Sequence, residues 1–151
     1  MTPLLLYYKD TLPDGSGIEF KCEVADYDNL RPEDAKAVAL FKWDILRHFP
    51  NLDGKLNTIV PELMYFQDNC GLCEFSARYQ KTMCSECGLA KLGHVCAKPD
   101  SLFTIFKRKL SRTTGLPLDE NQLSLVAHEL YELIELIDLD NYYIANRETL
   151  K

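Results

Sequence analysis

Five cysteines and a histidine crowd residues 70–96 of this 151-residue chain, and they constrain its fold more than any other feature. They read Cys70-Gly-Leu-Cys73, a ten-residue loop, Cys84-Ser-Glu-Cys87, and then His94-Val-Cys96. The two sulfurs of a Cys-x-x-Cys turn can reach one ion, and a second such turn completes a tetrahedron with bonds of about 2.3 Å. Zinc is the metal this donor set predicts. Cys70, Cys73, Cys84 and Cys87 are the first-choice ligands, because Glu74–Met83 is long enough to fold back. Cys96 or His94 is the alternative fourth ligand. Four thiolates close the coordination sphere, which makes the Zn²⁺ structural rather than catalytic. An iron–sulfur cluster can use the same ligands. A dithiol redox role has weaker support, since no thioredoxin-like βαβ pattern surrounds either knuckle.

Charge is segregated along the chain. Residues 1–69 hold 12 acids and 7 bases, residues 70–117 hold 3 acids and 8 bases, and residues 118–151 hold 8 acids and 2 bases. A basic metal lobe therefore stands between two acidic arms, and four thiolates on one Zn²⁺ take about two charges from it. That leaves a modest basic surface for nucleic acid: Arg78, Lys81, Lys91, Lys98 and the cluster Lys107, Arg108, Lys109 and Arg112. The apolar run near Met1 is too short for a signal peptide or a membrane span, and no later run approaches the roughly 18 residues a span needs. A reducing cytoplasm is the expected compartment, where clustered cysteines bind metal more often than they pair.

The pattern predicts an α+β fold: an N-terminal β-hairpin, about three helices and a central zinc-knuckle lobe. It is expected to be one domain over 1–151, divided into a hairpin plus helix (1–69), the zinc lobe (70–98) and a helical C-terminal part (99–151). Residues 3–9 and 17–24 read as strands joined by Pro13-Asp-Gly-Ser-Gly17. Ile18, Phe20, Cys22 and Val24 alternate with Glu19, Lys21 and Glu23, so Cys22 is expected in the core and not in the metal site. A helix over 30–49 opens with Pro32, Glu33 and Asp34. Val38, Phe41, Ile45 and Phe49 form its main stripe, with Leu40 and Trp43 on roughly the opposite side. Two covers are expected for that helix, the hairpin on one face and the metal lobe on the other; failing that, Leu40 and Trp43 face a partner. Pro50-Asn-Leu-Asp-Gly54 ends the helix, and residues 55–69 look irregular, with Pro61 breaking any regular element. A short helix follows Asp100, its candidate cap, and Asp119 caps a last helix over about 120–138. Its core stripe is Leu123, Val126, Ala127, Leu130, Leu133, Ile134 and Ile137; Leu125 and Leu136 lie on the other side beside Glu129 and Glu132.

No catalytic constellation emerges. His128-Glu129-Leu-Tyr-Glu132 has the spacing of a metalloprotease helix, but a glutamate stands where the second histidine belongs. Neither His48, His94 nor His128 neighbours a nucleophile in the sequence.

The Phe-Lys-Trp-Asp-Ile-Leu helix, the two Cys-x-x-Cys knuckles with Gly88-Leu89 after the second, Cys96 and the later Ser-Leu-Phe-Thr-Ile-Phe together resemble small cysteine-rich proteins of unknown function encoded by bacteriophages. The likeness spans about residues 35–106. It implies a metal-stabilised viral accessory protein, supplies no activity, and gives Cys96 a role. The expected function is non-enzymatic binding of a host or viral protein in the cytoplasm, through Trp43, Leu40, Leu125, Glu129, Glu132 and Leu136. The alternative is a nucleic-acid-binding transcription regulator that uses the basic zinc lobe, with Lys107, Arg108, Lys109 and Arg112 on the phosphates.

Overall fold

The computed structural model describes residues 2–66, 101–111 and 114–137. Strands β1 (Leu4–Thr11) and β2 (Gly17–Val24) pair antiparallel, with Leu4 opposite Val24 and Thr11 opposite Gly17. Gly15 closes the connection at φ +89°, a conformation that costs glycine little. Leu6, Phe20, Cys22 and Val24 are buried, as the alternation requires, while Glu19, Lys21 and Glu23 face solvent.

Helix α1 (Pro32–His48) starts on Pro32, with Glu33 and Asp34 in the first turn. The next segment is more regular than its sequence suggests. It forms a 3₁₀ turn at Pro50–Leu52, the single helical turn α2 (Leu56–Ile59) and a second 3₁₀ turn at Pro61–Tyr65. Pro50 follows the end of α1 as expected, whereas Pro61 starts a turn instead of breaking its segment, because a first-turn position needs no N–H. Helix α3 (Leu102–Arg108) is capped by Ser101, whose hydroxyl accepts from the Thr104 N–H at 3.1 Å; the expected cap, Asp100, lies outside the described residues. Helix α4 (Glu120–Glu135) begins in a full capping box. The Asp119 carboxylate accepts from the Gln122 N–H at 2.8 Å, and Gln122 Oε1 accepts from the Asp119 N–H at 2.9 Å.

The core is built around α1. β2 packs on one side of it and α4 runs antiparallel along another. The polar contacts give that direction. Lys36, near the start of α1, donates to the Glu135 and Ile137 carbonyls at the end of α4, and Arg47, near the end of α1, donates to His128 in the middle of α4. Leu123, Ala127, Leu130, Ile134 and Ile137 are buried against this core. Burying a side chain of this kind contributes roughly 1.5–3 kcal/mol. Lys36 also serves α4 where its own sequence does not. The last turn has no basic residue, and the Lys36 ammonium covers the terminal carbonyls and the negative end of the dipole. Among the described residues, the architecture is a two-stranded hairpin followed by four helices, and none of these is long and apolar enough to cross a membrane.

Candidate functional site

Cys70, Cys73, Cys84, Cys87, His94 and Cys96, the metal ligands expected from the sequence, all lie outside the described residues. Where the chain enters that segment, Phe66 is buried and packs edge-on against Tyr27, whose hydroxyl donates to the Tyr65 carbonyl at 2.6 Å. Where the chain emerges, Ser101 and Leu102 are buried. Both ends of the cysteine segment are thus fixed in the core. The donor chemistry suits Zn²⁺: soft thiolates with at most one imidazole. Among the described residues, no group of three or more His, Cys, Asp or Glu side chains is placed to hold a metal ion. Cys22 is buried between β2 and α1, and burial, then Asp34 and Glu23, push its thiol up to about 12. Cys22 is thus a core side chain.

The partner residues expected from the sequence separate into three environments. Trp43 is only 1% exposed, with its ring edge-on to Phe103 and Phe106 of α3. That placement corrects the expectation of a surface anchor: α3 covers the side of α1 that seemed to need the metal lobe or a partner. Leu40 is half-buried and lines a groove with Ala37, Phe41 and Tyr131 beside β2. Leu125 and Leu136 remain open to solvent, 64% and 69% exposed, and Glu129 and Glu132 are exposed between them. At positions i, i+4, i+7 and i+11 these four residues form one straight ridge on α4.

The basic cluster is also divided. Lys107 Nζ lies 2.6 Å from Asp53 Oδ1, with only 9% of the Asp53 side chain exposed, so this cation ties α3 to the turn after α1. Lys109 ends α3 in the left-handed conformation, φ 59° and ψ 32°, and its N–H donates to the Ile105 carbonyl. Arg108 and Lys109 are exposed, and Arg112 lies outside the described residues.

His128 lies between Arg47 and Glu132. Its Nδ1 lies 3.0 Å from Arg47 Nη1 and its Nε2 lies 2.7 Å from Glu132 Oε1. Arg47 can only donate, so Nδ1 accepts and Nε2 carries the proton toward the carboxylate. Arg47 completes the link between helices: its Nε donates to Asp44 Oδ1 at 2.8 Å, and its guanidinium stacks 3.8 Å above the Tyr131 ring.

Sequence reasoning missed the burial of Lys42. It is 1% exposed, its Nζ lies 5.0 Å from the Trp43 ring centroid, and it borders a hollow of about 110 Å³ with Leu46, Asp53, Leu56 and Asn57. Its position next to Trp43 was the available signal, because an ammonium can be sheltered by an aromatic face. No family model, no curated protein and no solved structure matches this chain.

Proposed function

We propose that this protein is a non-enzymatic, zinc-stabilised accessory factor, of the kind bacteriophages encode, that binds a host or viral protein in the cytoplasm. The observation that carries this reading is the α4 ridge of Leu125, Glu129, Glu132 and Leu136, held out to solvent by a helix whose opposite face is buried against α1. Single exposed leucines are ordinary. Two on one stripe, with carboxylates between them and no freedom for the helix to roll, present the side chains that an apolar groove with a basic rim recognises. The zinc, bound by Cys70, Cys73, Cys84 and Cys87 or by a set including Cys96 or His94, would hold the segment between Phe66 and Ser101 in one shape.

The test compares capture from host lysate by the wild type and by Leu125→Lys/Leu136→Lys, with elemental analysis of both. Loss of one specific captured protein in the variant, at about one zinc per chain in both, supports the reading. Identical capture by both removes the ridge from it. The nucleic-acid alternative is less favoured because Lys107 is already paired with Asp53. It would gain ground only if DNA or RNA bound with a steep salt dependence.

A further inference from the structure

The outer edge of β2 borders a groove shared with α1. The sheet has two strands among the described residues, so β2 pairs with β1 on one side and has no strand on the other. Along that free side runs a groove of about 480 Å³, within the range typical of binding sites. Five consecutive residues, Glu19 to Glu23, line it. Consecutive strand residues point to opposite faces, so a groove that touches all five tracks the strand edge, where alternate backbone N–H and C=O groups point outward. The opposite wall is Ala37, Leu40, Phe41 and Asp44, one face of α1 at helical spacing, with Tyr131 of α4 beside it. The floor is apolar and the rim is charged.

The rim selects by sign. The lining carries Glu19, Glu23 and Asp44 against Lys21, and Lys21 lies 3.4 Å from Glu23. Beyond the lining, Lys9 stands opposite Glu19 across the hairpin, Arg47 is paired with Asp44, Glu135 flanks Tyr131, and Lys36 is occupied with the carbonyls that end α4. The Tyr131 hydroxyl is pushed up by burial, then by Asp44 and Glu135, with only Arg47 opposing; the Cys22 thiol is pushed up by burial, then by Asp34 and Glu23. Charged side chains on an exposed edge guard it against indiscriminate pairing. This guard repels acidic strands and attracts basic ones.

We propose that the groove between β2 and α1 binds an extended segment of a partner protein that carries lysine or arginine at alternate positions, added as a third strand to the hairpin. The inference rests on the reading of this chain as a partner-binding protein, but it uses a different surface from the α4 ridge. Apolar side chains on the inward face of the segment would meet Leu40, Phe41 and Ala37, and its cations, on the solvent face, would meet Glu19 and Glu23.

The test is fluorescence polarisation with the full-length, zinc-loaded protein. The probe is a labelled eight-residue peptide of alternating lysine and valine. Its controls are the same peptide with glutamate for lysine, and lysine–valine peptides N-methylated along one backbone edge or the other. Lysine–valine binding at least about tenfold tighter than glutamate–valine binding is expected, with N-methylation of one edge, and not the other, abolishing it. Glu19→Lys/Glu23→Lys should weaken binding about tenfold, given the size of exposed ion pairs, and Leu40→Glu should weaken it with a different salt dependence. Leu125→Lys/Leu136→Lys should bind the probe as the wild type does, which separates failure of this inference from failure of the ridge. Equal binding of both N-methylated peptides would overturn the proposal. So would unchanged affinity in a normally melting Glu19→Lys/Glu23→Lys variant, or sedimentation showing that a second copy of this chain already occupies the β2 edge.

Discussion

Replacing Lys107 with methionine tests whether the basic end of α3 is a structural tie or a free cationic surface. The Lys107 ammonium lies 2.6 Å from Asp53, and their side chains are 29% and 9% exposed. An exposed pair contributes about 0.2–1 kcal/mol, whereas stripping the partner from a fully buried charge costs about 3–5 kcal/mol. This pair lies between those limits, with the carboxylate the more enclosed member. Lys107→Met keeps much of the stem that packs near Phe103 but takes this cation from the enclosed Asp53 carboxylate, so about 2 kcal/mol should be lost. Asp53→Asn retains an acceptor and should cost about 1 kcal/mol. The double variant should recover part of the sum, because neither charge is then stranded. With a urea m-value of about 2 kcal/mol/M, Lys107→Met moves the unfolding midpoint down by about 1 M. A shift smaller than about 0.25 M, together with additive behaviour in the double-mutant cycle, would refute the tie. A large loss of DNA or RNA affinity in that same variant would then favour the nucleic-acid reading.

The same geometry sets four further outcomes. Asp119→Ala should lower stability by about 1 kcal/mol in urea unfolding, since it removes the cap that opens α4. Lys109→Gly should raise stability by about 0.5–1 kcal/mol by relieving the left-handed strain at the end of α3, with melting temperature as the readout. Tyr8 should titrate near pH 12 in alkaline difference spectra. Burial, then the hydrogen bond to Asp10 and the Asp10 charge, hold its proton. Its folded pKa is raised, so its contribution to stability is complete below about pH 10 and is lost as pH rises toward 12, and Asp10→Asn should move the transition to lower pH. Stripping zinc with a strong chelator should lower the melting temperature and make the cysteines of 70–96 reactive to alkylation while Cys22 stays protected; stability unchanged by the chelator would sink the metal site.

Much of the local structure is readable from residue order alone. Alternation over 17–24 places Phe20, Cys22 and Val24 inward, Pro32 opens α1, and Asp119 opens α4 with Gln122 at the reciprocal position. Each depends on interactions within a few residues, where sequence spacing and distance in space are nearly the same. The partner residues are harder to read for the opposite reason. Trp43 and Leu40 look alike on a helical wheel, yet α3 buries one and β2 borders the other. Which neighbour lies over a given helix face is decided by chain many residues away. Pro61 misleads in a related way. A proline that starts a helical turn and one that stops a helix differ only in whether the residues after it coil, and here those residues are held by their packing on the core.

Sequence by itself determined the hairpin and the two long helices with Pro32 and Asp119 at their starts and their inward stripes, and its cysteine spacing is the basis for proposing a metal. These arise from backbone sterics, side-chain periodicity and donor chemistry acting over short separations. Tertiary structure alone decided that Lys42 and Trp43 are buried, that Lys107 is spent on Asp53, that Lys36 finishes α4, and that the edge of β2 opens onto an acidic groove. Burial and charge pairing depend on which distant surfaces meet, and only packing brings those surfaces together.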